Sequence, residues 1–217
     1  MTPNGFEGSI VPAEPEFSEK KSIARSKMLK VASALFSENL SEDTYIIATS
    51  GRYKFKSKGI DVFIDSIAKL REAKIDRPIL AFLFSPSHHY GARKDILEAM
   101  ENNTGIEKGS REVTHYLHDP EVDPILKRIH EHGFTNSKDS KVKIIYVPSF
   151  LNKSDGIFNL SYYDILIGCD QTVFATYYEP WGYTPLESLA FGVPTVTTSL
   201  SGIGNWISEA CKETCKA

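Results

Sequence analysis

Five short apolar runs, each divided from the next by helical patterning, limit what this chain can fold into more than any other feature. They are TYIIAT (44–49), PILAFLF (78–84), KVKIIYV (141–147), TVFATYY (172–178) and PTVTTS (194–199). Runs of this length, rich in β-branched and aromatic residues, have the pattern of strands buried on both faces. Between the first two, KGIDVFIDSIAKLREA places Ile60, Phe63, Ile64, Ile67 and Leu70 on one helical face. Ahead of them, SEKKSIARSKMLKVASALFSENL carries Ile23, Met28, Val31, Leu35 and Phe36 at helical spacing, with Ser18 available as an N-cap. Further helical patterns are ARKDILEAMEN, VDPILKRIHEHG, FNLSYYDILIG, TPLESLAFG and the segment from Asn205 onward. Strands alternating with helices predict an α/β fold: a Rossmann-like, mostly parallel sheet with helices on both faces. The polar, glycine-containing stretch MENNTGIEKGSREVTHYLHDP reads as a long surface insertion, and His88 and His89 as part of a surface loop.

A formal charge of −3, from 25 basic and 28 acidic residues, excludes nucleic-acid binding by bulk charge. No apolar run reaches the roughly 18 residues of a bilayer span, and MTPNGFEGSIVPAEPEF has no signal-peptide core, so the expectation is a cytoplasmic protein with no membrane partner. The three cysteines, Cys169, Cys211 and Cys215, form no paired CxxC motifs. They imply neither a disulfide framework nor a metal site. Cys211 and Cys215 stand one helical turn apart, a spacing read as incidental.

Sheets of this kind bind ligands at the carboxyl ends of their strands. The loop after the first strand, SGRYKFKSKG, brings Arg52, Lys54, Lys56 and Lys58 within seven residues, flanked by Gly51 and Gly59, and runs into the amphipathic helix. Cations beside a helix N-terminus suit a phosphate, and a solvated basic loop fits the same residues. The loop after TVFATYY is EPWGYTPLES, with Glu179 and Glu187 eight positions apart. Thr184, Pro185 and Glu187 have the form of a capping box, which by itself accounts for Glu187. Glu179 has no capping role and suits a ligand for substrate hydroxyls. Gly182 permits close backbone approach, and the N–H groups of Tyr183 and Thr184 offer a second anion pocket. Trp181 reads as a packing anchor for this turn, and the Gly202–Gly204 pair as a weak sign of backbone N–H groups near a ligand.

The segments YYEPWGYTPLES, SGRYKFKSKGIDVF, TPNGF, SDGIFNLSYYDILIGCDQTVF and HDPEVDPILKRIHEHGFTNSKDSKVKIIYVP together resemble, in order from Thr2 to about Trp206, the glycogen synthases of the animal and fungal type. These are retaining glycosyltransferases of two-domain B-type architecture. The resemblance implies the C-terminal, donor-binding half of such an enzyme: residues 1–17 as an interdomain linker and 18–217 as the nucleotide-sugar-binding domain, without the acceptor-binding N-terminal domain. It implies transfer of glucose from UDP-glucose or ADP-glucose to the non-reducing end of glycogen or another α-1,4-glucan. By the same token Glu179 is the catalytic carboxylate, Glu187 holds the ribose, Arg52 and Lys58 neutralise the diphosphate, and Tyr162 stacks on the base. Gly182, Tyr183 and Thr184 form the turn that approaches the nucleotide. No cofactor or metal is expected: the cations serve the departing diphosphate, and there is no Asp-x-Asp pair.

Two departures from the family pattern stand out. The chain starts at the TPNG linker and stops in the helix after Trp206, so the acceptor would meet a missing domain and the isolated fragment would be inactive. The insertion before HDPEVDP is short, which puts regulation by glucose 6-phosphate in question and leaves the oligomeric state of the parent open, a homo-oligomer included. A module that binds a nucleotide-sugar or sugar phosphate without turnover fits the same residues. A glycoside hydrolase with Glu179 and Glu187 as its carboxylate pair has no use for the basic loop.

Overall fold

The computed structural model of the chain describes residues 5–214; Thr2 to Asn4 and Cys215 lie outside the described residues. Strands β1 (Tyr45–Ser50), β2 (Ile79–Phe84), β5 (Val142–Val147), β6 (Gln171–Phe174) and β7 (Thr195–Thr197) form one parallel sheet in the order β5-β2-β1-β6-β7. This is the α/β, Rossmann-like sheet expected from the alternation. Side chains alternate across it by the strand period of two. Ile46, Ala48, Leu80, Phe82 and Phe84 face a core with α1 (Glu16–Phe36), α3 (Lys94–Asn102) and α5 (Tyr162–Leu166). Ile47, Ile79, Ala81, Leu83 and Ile144 face a second core with α2 (Ile60–Leu70) and α4 (Pro124–Glu131). Two further helices, α6 (Tyr183–Ala190) and α7 (Gly202–Thr214), complete the chain.

Several boundaries differ from the sequence reading for identifiable reasons. Helix α1 begins at Glu16 with Pro15 as N-cap, and the Ser18 hydroxyl instead donates to Glu14. Phe6, Val11 and Phe17 pack on the first core, so the segment read as a linker lies partly against the domain. Strand β6 stops at Phe174 because the Thr176 hydroxyl and the Tyr177 N–H both turn to the Ser57 carbonyl, at 2.8 and 3.1 Å.

The expected surface insertion is corrected. His89–Ala92 (β3) and His115–Leu117 (β4) pair as a small antiparallel sheet, and Ile106, Glu112, Val113, Thr114 and His115 are buried. His115 is satisfied at both nitrogens, by the Thr114 hydroxyl and the Asp155 carbonyl, each at 2.8 Å. The 112–114 segment also runs along β5: Tyr146 N–H donates to the Glu112 carbonyl at 2.7 Å and Thr114 N–H to the Tyr146 carbonyl at 3.2 Å. Nearby, the buried Asn136 amide both accepts from Ile144 N–H at 3.0 Å and donates to the Ile144 carbonyl at 2.8 Å.

The strand order places the site. From β1 the chain steps to β2 and on to β5, then returns past β1 to β6 and β7, so adjacent β1 and β6 mark the switch point where such sheets open a crevice. The loop after β1 is locked over the end of β6 at Gly59. Its φ is +63°, and a Cβ there would stand 1.7 Å from the Ala175 carbonyl oxygen. Gly59→Ala should therefore cost about 2 kcal/mol or more in stability, through backbone strain and displacement of the loop. Urea unfolding measures this, and an unchanged midpoint would show that loop and strand end are not locked together.

Candidate active site at the switch point

Four separate segments meet in the crevice. Lys58 Nζ bonds the Glu179 carboxylate, with both side chains about a quarter exposed (28% and 26%). Glu179 is itself fixed by its backbone: its N–H donates to the Leu200 carbonyl at 3.3 Å and its carbonyl accepts from Gly202 N–H at 3.0 Å. Gly202 is glycine because a Cβ would come 2.3 Å from the Pro180 carbonyl oxygen. The N–H of Gly202 is thus used inside the protein, so this glycine holds the turn and does not offer its N–H to a ligand. Trp181 is 7% exposed with its ring 6.4 Å from Trp206, the packing anchor expected of it.

Of the other cations in the basic loop, Lys56 pairs with Asp61 at 2.7 Å, away from the crevice. Arg52 is exposed and lines an apolar pocket of about 320 Å³ together with Tyr162, Thr184, Phe84 and Phe150. That volume falls at the low end of the roughly 300–1,000 Å³ typical of small-molecule sites. Tyr162 opens α5, and its hydroxyl lies 2.9 Å from the Ser50 hydroxyl at the end of β1. Burial pushes its pKa well above the usual tyrosine value.

The capping box at Thr184 does not form. Gly182 adopts φ +107° and serves as N-cap, so α6 begins at Tyr183 and Thr184 falls within its first turn. The Thr184 carbonyl accepts from the Ser188 hydroxyl at 2.9 Å. Glu187 turns instead to Tyr163, whose hydroxyl donates to Oε1 at 3.0 Å and whose ring stacks on Phe191 at 5.1 Å. The capping box of this region is at Ser161 and Asp164, leading α5. Burial, partly offset by the Tyr163 bond, holds the Glu187 carboxyl above the usual carboxylate range. The structure thus brings Lys58 and Glu179 into contact, with Gly182 beside Glu179, since a Cβ on it would lie 3.6 Å from Glu179 Cγ, and puts Arg52, Tyr162 and Thr184 on one pocket, while Tyr163 orients Glu187.

The sequence profile of the glycogen synthase family matches residues 110–216, a stretch that holds Tyr162, Glu179 and Glu187. Human liver glycogen [starch] synthase is 28% identical over 264 aligned positions, covering 96% of this chain and 38% of that protein. Over these spans the chain is similar to the glycogen synthases. Isoform 1 of the Saccharomyces cerevisiae glycogen [starch] synthase is 29% identical, covering 96% of this chain and 39% of its own length. The chain thus spans less than two-fifths of the length of these relatives. The 264 aligned positions exceed its 217 residues, so the human protein carries segments that this chain lacks. Among solved structures, an Anabaena protein crystallised with UDP and glucose has a TM-score of 0.49 at 15% identity, covering 98% of this chain and 47% of that one. The C-terminal domain of a group 1 glycosyl transferase from Francisella tularensis has 0.46 at 12% identity, covering 98% and 89%. The fold of this chain rests on its own strand order, not on likenesses at that level.

Sequence reasoning missed Tyr163, the residue that decides where Glu187 points, and also Tyr53, whose hydroxyl donates to Asp123 at 2.7 Å and so ties the basic loop to α4. A tyrosine beside each expected ligand residue, Arg52 and Tyr162, was the only available signal.

The raised Glu187 carboxyl has a consequence for stability. Its folded pKa lies above the 4.5 of an unperturbed glutamate, so just above that pH the folded state keeps a proton that the unfolded chain has lost. Its contribution is complete below about pH 4.5 and is lost as pH rises through the folded value. Glu187→Gln should therefore gain stability relative to wild type as pH rises above about 4.5, which parallel unfolding curves would reveal. A gap independent of pH would mean that the carboxyl is not held protonated.

Proposed function

We propose that the chain is the donor-binding part of a retaining glycosyltransferase, which moves glucose from a nucleotide-diphosphate-glucose to the non-reducing end of an α-1,4-glucan. The observation that carries this reading is the meeting of Lys58 and Glu179 at the switch point, beside an apolar pocket that holds both an arginine and a flat aromatic ring. In the proposed complex the base lies against Tyr162, Glu187 receives the ribose hydroxyls, and Arg52 and Lys58 meet the diphosphate. The acceptor binds mainly through a part of the protein that precedes this chain.

Transfer breaks the bond between the sugar carbon and the diphosphate oxygen, and the diphosphate leaves with the electron pair. The acceptor hydroxyl forms the new bond and gives up its proton to the departing diphosphate oxygen. Negative charge grows on the diphosphate while positive charge grows on the sugar carbon, so two fixed cations and a facing carboxylate stabilise the transition state more than the ground state. Glu179 is the carboxylate placed for the sugar carbon. With both cations directed at the diphosphate, the proposed site takes no metal ion.

The pairing of Lys58 with Glu179 gives this reading a distinguishing signature. Calorimetry with UDP and ADP should show micromolar to millimolar binding by the chain, reduced about tenfold or more by Arg52→Ala and by Lys58→Ala. Glu179→Gln should bind UDP about two- to fivefold more tightly, because it releases Lys58 for the diphosphate, yet abolish glucose transfer in the protein that contains this chain. Nucleotide affinity indifferent to all three substitutions would end the diphosphate assignment. Affinity should also be unchanged by a chelator; loss of binding in EDTA would establish a metal requirement.

A further inference from the structure

Next to the proposed donor site lies a second pocket whose polar groups the donor reading does not use. Tyr53, Ser87, His88, His118, Asp119 and Asp123 line a space of about 180 Å³ that shares Tyr53 as a wall with the apolar pocket. The ends of β2 and β4 and the start of α4 build it, on the same edge of the fold as the crevice.

Three observations set it apart from an ordinary solvated surface. Its rings are held in place: Tyr90 stacks on His118 at 3.9 Å, His88 lies 6.1 Å from His118, and Tyr53 is anchored to Asp123 at 2.7 Å. The side chains of His88, His118 and Asp119 make no hydrogen bond to another described residue. Behind the wall, the fully buried Tyr146 hydroxyl stands without a hydrogen bond of good geometry, close to Ser87, Asp123 and Tyr53. A buried hydroxyl left unpaired is costly, and a ligand or ordered water behind Ser87 would relieve it.

The chemistry of the lining selects the ligand class. An anion would face two carboxylates, and the N–H groups at the start of α4 are already taken, since Asp123 Oδ1 accepts from Ile125 and Leu126 at 2.9 Å each. A metal ion finds no group of three or more suitable ligands among the described residues. Hydroxyl groups both donate and accept, which matches carboxylate, imidazole, serine and tyrosine together, and a sugar's C–H face suits flat rings. The volume is below the roughly 300 Å³ at which pockets for drug-sized ligands begin, so the space suits one ring and not a nucleoside.

We infer that this pocket binds one sugar ring of a neutral, polyhydroxylated chain, a subsite for a glucan immediately beside the donor site. The neutral polyol follows from the lining alone; the choice of a glucan rests on the proposed function. The test is nuclear magnetic resonance titration of the full chain with maltose, UDP and inorganic phosphate in separate experiments. Maltose should shift the amide signals of Ser87 and of Leu117 to Asp119, with millimolar affinity. His118→Ala and Asp119→Asn, both at exposed positions, should weaken maltose about fivefold or more while leaving UDP affinity and the thermal midpoint as in wild type. No shift at these residues, wild-type maltose affinity in both variants, or phosphate displacing maltose from them would overturn the inference. If maltose binds there and UDP does not bind at all, the donor reading falls and the sugar pocket stands; the opposite pattern removes the pocket and keeps the donor reading.

Discussion

The carbonyl of Ser57 is the joint on which the site depends. It receives the Thr176 hydroxyl and the Tyr177 N–H, pulling the chain off the β6 ladder and onto the loop that follows β1. With Gly59 pressed against Ala175, this fastens two loops whose strands are neighbours in space but 121 residues apart in sequence, as measured from Lys58 to Glu179. Everything catalytic in the proposed reading follows from that fastening. A carboxylate and an ammonium group reach each other only because both loops are held at one height over the sheet.

The arrangement also explains how the crevice accommodates a part-buried carboxylate. Removing charge from water is costly unless an opposite charge accompanies it, and Lys58 supplies one. Glu187 follows the other route: it is sheltered and hydrogen-bonded by Tyr163, with its proton held more tightly than usual. Two glutamates in one turn thus have different partners, a lysine for one and a tyrosine for the other.

Much of the fold was legible because buried parallel strands leave dense apolar runs, and all five were placed to within a few residues. The β3–β4 pair was not, because its inward positions include His115, whose burial is made affordable by an Asp155 carbonyl 40 residues away. Local composition there is that of a surface loop, and only the tertiary partner makes it core. Glu187 failed in the same way on a smaller scale. Thr-Pro-Leu-Glu is sound capping chemistry, but Gly182 starts the helix two residues early and Tyr163 claims the carboxylate. Glu179, by contrast, was identified by having no local role at all, and its partner lies in the other loop at the switch point.

The strip from Glu112 to Thr114, with the Asn136 amide, lies along the outer side of β5 and takes up backbone groups of Ile144 and Tyr146. Strand β5 ends the sheet on that side, and an open strand of continuous apolar residues is a template for pairing with another chain. The segment that looked like a dispensable insertion therefore acts as a guard rail against self-association. Shortening it would risk fibrous aggregation before it touched any ligand.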